Sequence, residues 1–242
     1  SYVLKCLEAN KNVFVEKPLC LLESELELII EAQSKSKKIV MVGFNRRFSP
    51  LTAKLKKTFS SSSPMTMIYR VNAGAIPLGS WVQDLEIGGG RILGEVCHFI
   101  DYLTYINGSL PVKLSATALP DPNNLNDNVN ISIQFENGST GLIGYYANGS
   151  KSMPKEYIEV FSAGLSATLI DFKELKIYGK RKIEKKKLFN QNKGQQEMVH
   201  YFLKSLLSDG HALIPFREIV GVTKATFKIL DSIKRGGEQI TI

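Results

Sequence analysis

Between Val13 and Val15 three apolar residues, two β-branched and one aromatic, form a run that breaks off on Glu16-Lys17-Pro18. Such a run reads as a short buried strand. Proline has no N–H to give a ladder, so the chain must leave the sheet there. Ahead of the strand, Tyr2 to Ala9 carries an apolar face of Tyr2, Val3, Cys6, Leu7 and Ala9, ended by Asn10: the final turns of a helix. After it, Leu22, Leu26, Ile29 and Ile30 recur at helical spacing to about Ser36, with Glu23 and Glu25 at the positive end of the dipole. Ile39 to Phe44 is a continuous apolar run, a second buried parallel strand. Asn45-Arg46-Arg47-Phe48-Ser49-Pro50 then turns into another helix that stops before Ser60 to Ser63. Strand, helix, strand, helix is the closing part of a doubly wound sheet.

From Pro64 the pattern changes. Met65 to Ala73 predicts a strand, Gly74 to Gly90 a loop, and His98 to Ile106 a short helix with Phe99, Leu103 and Ile106 on one face. Strands follow over Val112–Ala118, Val129–Phe135, Thr140–Ala147, Glu156–Ser162 and Ala167–Asp171, with two shorter ones to about Leu188. Val129, Ile131, Ile133 and Phe135 alternate with Asn130, Ser132 and Gln134, giving one buried and one wetter face. Glu136-Asn137-Gly138-Ser139 is a hairpin turn. Helices near Gln195–Leu207 and Phe216–Lys234 close the chain. The expected architecture is an α/β remnant of a Rossmann-type parallel sheet (1–63) followed by an α+β domain with a large open, mainly antiparallel sheet (64–242). The final helix is expected to pack back on the first domain.

With 242 residues and 43% hydrophobic content, the chain can bury one large or two ordinary cores. No apolar run reaches membrane-spanning length and no signal sequence opens the chain, so a cytoplasmic protein is expected. Three cysteines, Cys6, Cys20 and Cys97, lack metal-type spacing and read as free thiols. The net charge of +8 raises nucleic-acid binding. Its densest run, Lys180 to Lys187, contains no interleaved aromatics and reads as a lysine-guarded edge strand. An anionic small molecule suits the charge better than a nucleic acid.

Two stretches could carry chemistry. In an open α/β sheet, ligands gather beyond the carboxyl ends of strands, which is where Lys17 stands; its bland alternative is a surface lysine. The second is Gly88-Gly89-Gly90-Arg91-Ile92-Leu93-Gly94-Glu95-Val96-Cys97-His98, running on to Asp101. Glycines allow close backbone approach to a ligand. Glu95, His98 and Asp101 follow at three-residue intervals along one helix face. A histidine between two acids is a proton-transfer group whose tautomer one carboxylate can hold; its bland alternative is a packed histidine at a helix start.

Taken in order, Glu16-Lys17-Pro18, Gly43-Phe44-Asn45-Arg46-Arg47-Phe48-Ser49-Pro50, Trp81 and Asp84, and Gly88-Gly89-Gly90 with Cys97-His98 and Asp101 resemble the glucose–fructose oxidoreductase/inositol dehydrogenase (Gfo/Idh/MocA) family over essentially the whole chain. Gly94-Glu95-Val96-Cys97-His98 and Gly43-Phe44-Asn45-Arg46-Arg47 also resemble a subgroup found as the C-terminal half of longer two-part dehydrogenases. The resemblance implies hydride transfer between NAD or NADP and a secondary alcohol of a sugar, polyol or nucleotide sugar. It implies homodimers or homotetramers formed through the open sheet. Under it Lys17 polarises the reacting oxygen, His98 moves the hydroxyl proton, and Glu95 stands in for an aspartate that the family often has at the position of Gly94. Glu95→Gln should then cut turnover strongly. Glu16, Lys17, Pro18 (in a cis peptide) and Arg46 lie at the cofactor, while Lys17, Trp81, Asp84, Arg91, His98 and Tyr145 lie at the substrate, with Tyr146 and Lys151 nearby. No Gly-x-Gly-x-x-Gly follows a strand anywhere in the sequence. The chain therefore reads as a fragment that binds NAD(P) poorly alone, or as a non-catalytic binding and assembly module of the same shape.

Overall fold

The computed structural model describes residues 1–60, 64–179, 182–208 and 210–242. The expected domain boundary at 63/64 and the start of the lysine run at 180–181 touch residues outside that set.

The first unit is a pair of parallel strands, β1 (Val13–Val15) and β2 (Val40–Val42), with Val13 opposite Val40 and Val15 opposite Val42. Helices α1 (Tyr2–Glu8) and α2 (Glu23–Ser36) flank it. In α1 only Val3 and Leu7 are buried, so Tyr2 belongs to the solvent face and not, as expected, to the core. After β2 a 3-10 turn (Asn45–Phe48) leads into α3 (Pro50–Thr58), with proline at a first-turn position where it loses no bond.

The second unit is one nine-stranded sheet. Its strands are β3 (Thr66–Asn72), β4 (Pro111–Ala118), β5 (Asn128–Phe135), β6 (Thr140–Tyr146), β7 (Glu156–Ser162), β8 (Leu165–Ile170), β9 (Glu174–Tyr178), β10 (Ile183–Lys187) and β11 (Ile240–Thr241). They run in the order β10-β9-β8-β7-β3-β6-β5-β4-β11. All neighbours pair antiparallel except β3 with β6. In β5 the predicted alternation is observed: Val129, Ile131, Ile133 and Phe135 are buried and their neighbours face out. Its turn into β6 puts Gly138 at φ +81°, and Asn137 Oδ1 accepts from Ser139 N–H at 3.0 Å. The edge strand β10 is exposed along its whole length.

Against the inner face of this sheet lies α4 (Cys97–Asn107), buried at every position but Tyr105 and closed by Gly108 at φ +72°. A single apolar face was expected there; packing on two sides requires the whole helix to be enclosed. The last helices are α5 (Gln195–Leu207) and α6 (Phe216–Lys234). α6 packs on β4 and α4 and reaches α2 through Lys228–Glu23 at 2.9 Å and Lys224–Glu27 at 3.4 Å. α5 meets β1 through Phe202 and Phe14, whose ring centroids are 5.3 Å apart. The two units thus share one continuous core.

Candidate functional site

The chain leaves β1 through a cis Lys17–Pro18 peptide. The Glu16 carboxylate folds over Gly43 at the end of β2, so close that a Cβ there would meet Glu16 Oε2 at 2.8 Å. Lys17 points the other way, and its ammonium donates to the Gly94 carbonyl at 2.6 Å. That bond joins the strand end of the first unit to the segment just ahead of α4. Val15, Lys17, Pro18, Gly88, Gly94 and Glu95 border a cavity of about 460 Å³ at this junction. Trp81, 66% exposed, stands on its rim.

Asp84 shapes the glycine loop. Its carbonyl accepts the N–H groups of Gly88 and Gly89 (2.8 and 3.0 Å), and its Oδ1 accepts those of Glu86 and Ile87 (2.8 and 3.0 Å). Gly89 and Gly90 sit at φ +71° and +72°, conformations that L side chains disfavour. The chain then makes a π turn over Ile92–Val96 before α4 begins. A π turn inserts a residue into the helical repeat, so Glu95 and His98 do not share the face that α-helical spacing predicts. Glu95 lies in the cavity wall, 3.7 Å from Arg91 Nη2 and 3.9 Å from Lys155 Nζ.

His98 is 8% exposed, edge-on to Phe44 with centroids 6.0 Å apart. Its Nδ1 is enclosed and has no hydrogen-bond partner among the described residues. The expected acid–histidine–acid arrangement is not formed, because Arg47 takes both oxygens of Asp101 at 2.6–2.9 Å. Burial first, then the charges of Arg46, Lys17, Lys193 and Lys155, push the imidazole well below its usual pKa of 6.5. The ring is therefore neutral near pH 7, with its protonated form disfavoured.

Arg46 is buried behind His98, its guanidinium 5.2 Å from the ring centre of Phe99. Nε and Nη2 donate to Glu156 at 2.7 and 3.0 Å. The same carboxylate accepts from Tyr69 Oη and from Lys193 Nζ, both at 2.5 Å. Burial would raise the Glu156 pKa; Arg46 and then Lys193 overcome it and leave the group at about 2. Sequence reasoning missed Glu156, Lys155 and Lys193. The only local signals were an acid opening a strand and a lysine beside the helix-opening Gly194.

Arg91 is buried, donates from Nη1 to the Gly74 carbonyl at 2.8 Å and lies 5.1 Å from the ring centre of Tyr145. Arg91 Nε and the Tyr145 hydroxyl have no partners among the described residues. Both stand behind the cavity wall, not on the turns and sheet edges where such residues are often surface groups. Strand alternation turns Tyr146 to the opposite face, where its hydroxyl donates to Asn130 at 2.6 Å. Lys151 lies across Gly74.

Two family descriptions match the sequence: an oxidoreductase family with an NAD-binding Rossmann fold over residues 1–44, and the C-terminal alpha/beta domain of the oxidoreductase family over residues 58–201. The chain belongs to this oxidoreductase family. Among curated relatives, the myo-inositol 2-dehydrogenase of Thermotoga maritima is 32% identical over 107 residues, covering 44% of this chain and 32% of that protein. A trans-1,2-dihydrobenzene-1,2-diol dehydrogenase of Xenopus laevis is 24% identical over 136 residues, covering 55% of this chain and 41% of its own length. The matches thus span a third to two fifths of these two relatives. Among solved structures, an oxidoreductase domain protein of Kribbella flavida superposes with a TM-score of 0.86 at 17% identity, covering 99% of this chain and 76% of that one. A levoglucosan dehydrogenase in complex with NADH and levoglucosan gives 0.85 at 19% identity, with the same coverage. These likenesses extend the family's fold over the whole chain.

Proposed function

We propose that this chain forms the catalytic and assembly part of an NAD(P)-dependent oxidoreductase acting on a secondary alcohol of a sugar, polyol or nucleotide sugar. The observation that carries the reading is the meeting of Lys17 with the Gly94 segment at the mouth of a cavity, one turn ahead of a neutral, under-bonded His98. The cavity opens beyond the end of β1, and Glu16, Lys17 and Pro18 on that strand end suit the nicotinamide end of a dinucleotide. Arg46, spent on Glu156, would act on the site through its charge. When bound, the nicotinamide supplies the hydride acceptor.

The chain's own residues do the rest. Lys17 directs an ammonium at the reacting oxygen and favours its anionic character as the C–H bond breaks. His98 accepts the hydroxyl proton; burial holds the imidazole neutral before the step and works against the imidazolium that the step forms. Trp81, Asp84, Arg91 and Tyr145 are proposed around the substrate, Asp84 by shaping the loop that carries Trp81 and leads into Arg91. Glu95 would act between Arg91 and Lys155 and not as a direct partner of His98. Self-assembly through the outer sheet face is part of the proposal, supported by exposed Leu142 beside Ile68 and Arg70. The proposal places the enzyme in the cytoplasm, and no helix among the described residues is long and apolar enough to cross a membrane.

The test is reduction of NAD+ or NADP+, followed by absorbance, against a panel of polyols and sugars. Lys17→Met and His98→Asn should each lower kcat by about a hundredfold or more with the fold intact by circular dichroism. Folded variants with undiminished turnover would refute the assignment and favour the non-catalytic module.

A further inference from the structure

The charges around this site are unequally partnered. Lys17, Arg46, Arg91, Lys155 and Lys193 bring cations to it, and Glu25, Glu95, Glu156 and Asp171 bring carboxylates. Arg46 and Lys193 share Glu156. Asp171 is turned to the backbone N–H of Glu156, which it accepts at 2.7 Å. Lys17 is bound only to a neutral carbonyl.

Lys155 is the exception among them. It is half-buried, and its ammonium makes no hydrogen bond among the described residues; Glu95 Oε2, at 3.9 Å, is too far to accept one. On its other side Lys155 lines a hollow of about 520 Å³ together with Asn72, Lys151 and Asp171. Exposed Lys151 brings a further cation to that hollow and lies across Gly74, whose carbonyl receives Arg91. The hollow is thus joined to the Lys17 cavity through the Lys155–Glu95 contact.

A half-buried ammonium whose acid neighbour lies beyond hydrogen-bond reach is incompletely satisfied in the free protein. A ligand that brings an oxyanion satisfies it, and a neutral polyol offers Lys155 only dipoles. We propose that the hollow between Lys155 and Lys151 receives an anionic group, a carboxylate or a phosphate, carried by the sugar whose hydroxyl lies against Lys17 and His98. The inference rests on the oxidoreductase reading and narrows it from sugars in general to acidic ones. Lys155 is then the specificity residue and Lys151 its outer support.

The experiment measures binding of D-glucuronate, D-gluconate, D-glucose 6-phosphate and D-glucose to the full chain at constant ionic strength, by calorimetry and by the shift of the His98 ring signals. At least one of the three anionic sugars should bind about tenfold or more tightly than glucose, the value of one charge-assisted bond, and should move His98. Lys155→Met should erase that preference and Lys155→Arg should keep it. The contrast of carboxylate with phosphate identifies which anion the hollow suits. Equal affinities that still move the His98 signals would overturn the acidic-sugar inference and leave the sugar reading standing. If no sugar perturbs His98, both fall. A preference that survives in Lys155→Met would remove the anion site from this hollow.

Discussion

Glu156 shows how one side chain can join the fold to the site. It is fully buried and charged, and its bonds reach the turn after β2 through Arg46, β3 through Tyr69 and the approach to α5 through Lys193. Its pKa in the fold, about 2, lies below the ordinary 4.5. The linkage follows from that sign: its contribution to stability is complete above about pH 4.5 and is lost as pH falls toward 2. Glu156→Gln leaves buried Arg46 and partly buried Lys193 without a counter-charge and should cost about 3–5 kcal/mol in urea unfolding at pH 7. It should also flatten the acid limb of the stability profile. A loss below about 1 kcal/mol would mean that the network is incidental. Lys17 and His98 were legible in the sequence because each stands at a recognisable break, a strand ending on proline or a helix after glycines. Glu156 was not, since its partner Arg46 lies 110 residues away and an acid opening a strand has no distinguishing neighbours.

At the scale of elements, the glycine loop and the π turn decide where the site's side chains point. Gly88 is packed so tightly that a Cβ would lie 2.7 Å from the Val82 Cα and closer still to the Trp81 carbonyl. Backbone cannot swing aside as a side chain can, so Gly88→Ala should displace the loop that carries Trp81 and Asp84. The expected outcome is destabilisation by about 1–3 kcal/mol, the usual cost of overpacking, together with weaker substrate binding. Gly79→Ala on the same loop, where a Cβ meets nothing within 4 Å, is the control and should be neutral. Equal behaviour of the two variants would contradict the packing argument. Most strands and helices were readable because alternation and helical periodicity follow directly from burial. The π turn was not, because no pattern of apolar residues announces one inserted residue, and the expected pairing of Glu95 with His98 went with it. The two-residue β11 and the parallel pairing of β3 with β6 are likewise set by contacts distant in sequence.

For the molecule as a whole, the consequence of the fold is that an amine from the parallel sheet meets a segment belonging to the large sheet's domain. Lys17 and Gly94 are 77 residues apart in sequence, and the core shared by the two units holds them together around that contact. The order of the motifs pointed to this meeting, while the balance of charge around it, and so the place of Lys155 and Lys193, emerged only from the packed structure. The convergence of Lys17 with His98 is tested most directly by NMR titration of the His98 ring, assigned among the chain's three histidines with His98→Asn. Burial together with the charges of Arg46, Lys17, Lys193 and Lys155 predicts that His98 titrates well below 6.5, and that Lys17→Met moves it upward by removing one of those charges. A His98 that titrates at its ordinary value, or one that ignores the loss of Lys17, would contradict the shared site on which the account depends.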